Sequence, residues 1–256
     1  MKNLIKILPL VLITSCASSI RINTPSAKFL SPEASGKLLS GSAQLVYNQN
    51  QQALLDLSND SLDNDLKHTN DTSITADAHI GLIEQLDLFV QGGSHSPDLF
   101  GVKWQVYGAS RRDAKEGDIS ASIALAYGMQ GQSETDQGED ILGTNTDDIE
   151  AEVIHRKHEA TFILGKRLRD NIVGYANLRH SIEDMEVHLS SSSSTALDGK
   201  VARLKSQSTS VGLGLIIYRD SGVYLDLQTS YLVTDFDNSE QTSTLFSGFS
   251  IGTAWD

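Results

Sequence analysis

The sequence predicts an all-β fold: a closed antiparallel up-and-down barrel of about ten strands, with long outer loops and short periplasmic turns. Three observations carry that reading. Apolar and polar residues alternate with period 2 over most of the chain beyond residue 71. No stretch approaches the ~20 apolar residues that a membrane-spanning helix needs. The connections between alternating segments also tend to be long and short by turns.

The first element is not a strand. Residues 1–16 read MKNLIKILPLVLITSC, with Lys2 and Lys6 ahead of an apolar stretch, Ile7 to Ile13, that only Pro9 interrupts. Such a stretch is too short for a bilayer core of ~30 Å and has the organisation of an export signal. Ile13-Thr14-Ser15-Cys16 resembles the lipobox of bacterial lipoproteins. The resemblance implies that residues 1–15 are a removable signal peptide. It also implies that Cys16 is the lipid-attachment residue, because a thiolate is the nucleophile that accepts the lipid. Ala17 follows rather than Asp, which by resemblance to enterobacterial lipoproteins favours delivery to the outer membrane. Cys16 is the one cysteine of the chain, so no internal disulfide can form. Residues 16–37 hold Pro25 and Pro32 among small and polar residues without a period, and read as a lipidated flexible tether. The remainder, 38–256, reads as one barrel domain.

Within it the strands are expected at 41–49, 72–83, 86–93, 99–109, 118–129, 151–168, 172–185, 207–219, 223–235 and 243–255. In the second of these, Ile74, Ala76, Ala78, Ile80 and Leu82 share one face and Thr75, Asp77, His79 and Gly81 the other. Phe100, Val102, Trp104 and Val106 alternate in the same way with Gly101, Lys103, Gln105 and Tyr107. Val223, Leu225 and Leu227 alternate with Tyr224, Asp226 and Gln228. Leu54 to Leu57 could add strand or a short helix, so a count of eight to twelve stays open.

Apart from the short 94–98, the first, third, fifth, seventh and ninth connections are longer than their neighbours, the habit of an outer-membrane barrel. An even strand number then puts both chain ends on the periplasmic side, with the lipid of Cys16 in the inner leaflet of the outer membrane. In hydrocarbon an open sheet edge would leave backbone groups unpaired at several kcal/mol each, roughly, so the sheet is expected to close. The inward face would carry a polar network of Asp77, His79, Asp87, Lys103, Gln105, Arg179 and Asp226. Lys103 and Arg179 would neutralise Asp77, Asp87 and Asp226. A barrel of this size is narrow, and its lumen is expected to be plugged by such side chains.

Segments such as IGLIEQLDLFVQGG (80–93), LFGVKWQVYG (99–108) and FILGKRLRDNIVGYANLRH (162–180) resemble small outer-membrane β-barrel proteins of Gram-negative bacteria. The end of the chain, FSIGTAWD, resembles their terminal assembly signal, with Trp255 penultimate and Asp256 after it. The resemblance covers residues 72–256 and implies a fold and a membrane, with no active site. Alternation alone also fits a water-soluble periplasmic lipoprotein whose oily face points inward and binds an apolar ligand. A mean hydropathy of −0.21 and 6% aromatics favour that alternative.

The chain carries 33 acidic against 20 basic residues, which disfavours nucleic acid as a partner. His155-Arg156-Lys157-His158-Glu159 lacks the HExxH spacing of a zinc site, and on a strand its two histidines face opposite ways. It reads as a solvated strand end. Asp77 and His79 share a face as an acid–base pair would, but no nucleophile or third partner accompanies them. A barrel enzyme acting at the outer rim would need a constellation the sequence does not display. The acidic loop 130–150, with Glu134, Asp136, Glu139, Asp140, Asp147, Asp148 and Glu150, reads first as a solvated, self-repelling loop, with divalent-cation binding as the alternative. Asp60, Asp63 and Asp65 lack the glycine and distal glutamate of a calcium loop. The expected role is non-enzymatic, structural or surface-interacting, with limited small-solute passage at most. The chain would be a monomer without a cofactor, its partners outer-membrane lipid and lipopolysaccharide.

Overall fold

The computed structural model describes residues 19–25, 28–56, 66–93, 96–136, 149–191, 198–219, 221–236 and 241–256. Among them there are eleven strands and no helix: β1 (Ser19–Pro25), β2 (Gly41–Asp56), β3 (Leu66–Ile83), β4 (Leu86–Gly93), β5 (Ser96–Tyr107), β6 (Ile119–Asp136), β7 (Ile149–Arg169), β8 (Ile172–Ser191), β9 (Val201–Tyr218), β10 (Val223–Phe236) and β11 (Thr242–Trp255). From β2 to β11 each strand pairs antiparallel with the next in sequence. Pairing of β11 with β2 closes the ring, from Gly248↔Asn48 to Trp255↔Gly41. The fold is therefore a closed ten-stranded barrel, with β1 as an eleventh strand whose ladder partner is β2.

Period 2 decides which side chains face which way. Along β10, Tyr224, Asp226, Gln228, Ser230 and Thr234 are buried, while Val223, Leu227 and Tyr231 are exposed between them. The same division runs round the ring: Asp87 is 0% exposed and Leu213 is 67% exposed. Leu45, Ile74, Val90, Phe100, Trp104, Leu125, Phe162, Leu178 and Ile251 join Leu213 on the outside. An apolar exterior on this scale is the surface of a barrel in hydrocarbon. A soluble barrel holding an apolar ligand requires the opposite arrangement, with the aliphatic residues inside.

Four features differ from what the sequence suggests. Most strands run further toward the end of the barrel with the longer connections; β6 and β7 stay paired to Asp136↔Ile149. The alternation loses its apolar half there: Arg156, Asp184 and Lys205 face outward in register on β7, β8 and β9, and Arg203 lies two residues beyond Lys205. The ladder continues past the apolar band, so the ends of these strands carry no oily signature. Secondly, residues 28–36 of the supposed tether are packed inside the barrel, because wall side chains satisfy their backbone groups. Thirdly, His155, Lys157 and Glu159 belong to the buried wall of mid-β7, and only Arg156 and His158 are exposed. Finally, Ser19 pairs with Asp56 and Trp255 with Gly41, at opposite ends of β2. The two ends of the described chain thus lie at opposite ends of the barrel, because the stretch before β2 returns through the interior.

Candidate functional site

The lumen is the one place where polar residues from every part of the chain converge, and its centre is occupied by residues 28–36. Lys28 Nζ donates to Gln91 Oε1 at 2.6 Å and pairs with Glu159 at 2.9 Å. The carbonyl of Lys28 accepts from Asn177 Nδ2 at 3.3 Å, and that of Phe29 accepts from Gln44 Nε2 at 2.8 Å. Lower down, Lys103 Nζ donates to the carbonyls of Ser31 at 3.2 Å and Glu33 at 2.8 Å. Ser122 Oγ donates to the Pro32 carbonyl at 2.5 Å. The backbone N–H of Ala34 donates to Gln105 Oε1 at 2.6 Å, and that of Ser35 to both Asp87 oxygens at 3.1 Å. Strands β2, β4, β5, β6, β7 and β8 all contribute, and the wall satisfies the carbonyls of Lys28, Phe29, Ser31, Pro32 and Glu33 and the N–H groups of Ala34 and Ser35 in a segment without secondary structure of its own.

Apolar contacts and missing side chains complete the fit. Leu30 sits among Ala124, Ile163, Val173 and Ile216, and Phe29 packs on Val46. Glycines stand where the segment comes closest to the wall. A Cβ on Gly165 would fall 2.4 Å from Pro32 Cγ, and one on Gly248 3.0 Å from Phe29 Cζ. Near the short-turn end, Glu33 receives a two-pronged contact from Arg167, with Nε to Oε1 at 3.0 Å and Nη2 to Oε2 at 2.5 Å. The Arg111 N–H donates to the Ala34 carbonyl at 2.8 Å. Beside the segment lies a polar cavity of about 20 Å³, room for about one water.

Asp77, His79, Asp87, Lys103, Gln105, Arg179 and Asp226 all point into this lumen and are buried. Their partners differ. Asp87 and Lys103, opposite each other on β4 and β5, pair at 3.1 Å. Arg179 has Glu159 4.0 Å away. Asp226 accepts from Tyr175 at 2.9 and 3.0 Å, and no cation is paired with it among the described residues. Asp77 accepts from Gln44 Nε2 at 3.1 Å, while His79 stacks on Phe89 with ring centres 5.5 Å apart.

The largest charge cluster among the described residues takes in His155, Lys157 and Glu159, which the sequence suggests as a solvated strand end. Glu183 holds Lys157 at 2.8 Å and His155 at 2.9 Å, and Glu159 holds Lys28 at 2.9 Å. A signal was present: His155, Lys157 and Glu159 occupy alternate positions, as an inward face requires. Three acidic or metal-binding side chains in ligating range occur nowhere among the described residues. Residues 137–148 of the acidic loop 130–150, and Asp60, Asp63 and Asp65, lie outside them.

No family model matches the chain, and no curated protein matches it. Among solved structures it is similar to Ail, the attachment invasion locus protein of Yersinia pestis, at 11% identity and a TM-score of 0.36, covering 85% of this chain and 97% of that one. The outer membrane channel DcaP of Acinetobacter baumannii follows at 7% identity and a TM-score of 0.22, with 85% and 96% covered.

Proposed function

We propose that the chain is an outer-membrane barrel of a Gram-negative bacterium, lipid-anchored through Cys16, with a structural or surface-interaction role and no enzymatic one. The observation that carries this reading is a lumen filled by the chain's own residues 28–36 beneath an apolar exterior. A passage would need space that the segment occupies, and a catalytic site would need a nucleophile or metal set with access to solvent. Contact with lipopolysaccharide would fall on a rim of mixed charge just past the apolar rows, where Asp184 lies between Arg156 and Lys205 and Glu186 holds Arg203 at 3.3 Å. Planar-bilayer recording tests the sealed lumen. The intact chain is expected to be electrically silent, and a variant lacking residues 19–36 to conduct in steps. Stepwise conductance from the intact chain would contradict the proposal and favour passage of small solutes.

A further inference from the structure

We infer that the chain is threaded through its own barrel and displays its N-terminal end on the outer face of the membrane, opposite its C-terminal strand end. The inference rests on the outer-membrane reading above and adds a sidedness to it. The connections 84–85, 170–171 and 219–222 are tight and lie at one end of the barrel together with the longer 108–118 and the Trp255↔Gly41 pair, whereas 57–65, 137–148, 192–200 and 237–241 lie at the other end with the short 94–95. In outer-membrane barrels the short turns are periplasmic.

β1 starts at the other end, with Ser19 opposite Asp56, and reaches Asn50 at Pro25. The descent then continues inside the barrel. Lys28 lies level with Gln91 and Glu159, Glu33 with Lys103 and Arg167, and Ala34 with Gln105 and Arg111. At the bottom, Leu39 donates to the carbonyl of Gly81, and the chain turns into β2 at Gly41. Among the described residues the order is monotonic from the long-loop end to the short-turn end.

The path is built into the wall. β11 pairs with β2 only over Gly41–Asn48, and β1 takes up β2 from Asn50 to Asp56, so β1 occupies pairing positions that β11 leaves. Gly165 and Gly248 lack the side chains that would block Pro32 and Phe29. Cys16 lies three residues before Ser19, a reach of about 10 Å at most. A lipid on it is therefore carried to the long-loop end, away from the inner leaflet where an unthreaded chain would leave it.

Labelling of intact cells with a membrane-impermeant maleimide tests the inference, using the full chain with Ser19→Cys, Lys200→Cys or Asp170→Cys. Lys200 lies in the long connection between β8 and β9, and Asp170 in the short turn between β7 and β8. Ser19→Cys is expected to react on intact cells together with Lys200→Cys, and Asp170→Cys only after permeabilisation. An epitope tag inserted after Ala17 gives the same readout by antibody where the thiol itself is unreactive. If Ser19→Cys and the tag respond only after permeabilisation, the inference is overturned. Lys200→Cys then separates the causes: labelled on intact cells, it leaves the outer-membrane barrel standing without the threading; unlabelled, it removes that reading as well.

Discussion

Leu213→Arg is expected to destabilise the folded barrel in lipid vesicles by about 2–4 kcal/mol, the cost of placing arginine on the lipid face of a membrane barrel near its midplane. Leu213 is 67% exposed and lies between Ala176 and Thr229 on neighbouring strands, so no packed core is disturbed. In a water-soluble protein a leucine this exposed could become arginine at a change within about 0.5 kcal/mol. The two environments thus differ in the size of the effect by several-fold. Urea titration of vesicle-reconstituted protein reads it directly, and an unchanged midpoint would place Leu213 in water.

A second large effect is expected inside. Lys103→Met leaves Asp87 buried with no cation and strips a donor from the carbonyls of Ser31 and Glu33. Removing one partner of a buried pair costs about 3–5 kcal/mol, because the remaining charge stays desolvated. Adding Asp87→Asn to Lys103→Met removes that charge and should restore part of the loss. The double variant will still lack the two bonds to the segment, so it is expected to remain less stable than the parent. Equal stability of the single and double variants would mean that Asp87 is not paying a burial cost.

Much of this architecture was readable from the alternation, because within the apolar band a one-residue error in phase would move every oily side chain to the wrong face. For that reason Asp77, His79, Asp87, Lys103, Gln105, Arg179 and Asp226 could be assigned to one face without knowing any contact. Their partners could not be assigned, since a partner depends on register between strands. Arg179 meets Glu159 through β7–β8 pairing that places Thr161 opposite Arg179 and brings Glu159 diagonal to it. The strand ends beyond Met129 and before Gln207 lost their signal where the outward residues turn polar. Residues 28–36 gave no signal at all. A segment held by Lys103, Gln105, Ser122 and Asp87 has no period of its own, and its prolines read as a spacer. The one hint was on the wall, in glycines such as Gly165 at inward positions where side chains would otherwise fill the lumen.

The two tryptophans, Trp104 and Trp255, are natural reporters of whether the aliphatic face meets acyl chains, 55% and 42% exposed on the outside of the barrel. Trp104 stands between Leu86 and Ile123 on adjacent strands, while Trp255 donates to the Leu39 carbonyl at the short-turn rim. With Trp255→Phe, the fluorescence of Trp104 in vesicles is expected to be quenched by bromines on the lipid acyl chains and to be insensitive to iodide in the water. Quenching by iodide with no response to brominated lipid would place the aliphatic face in water.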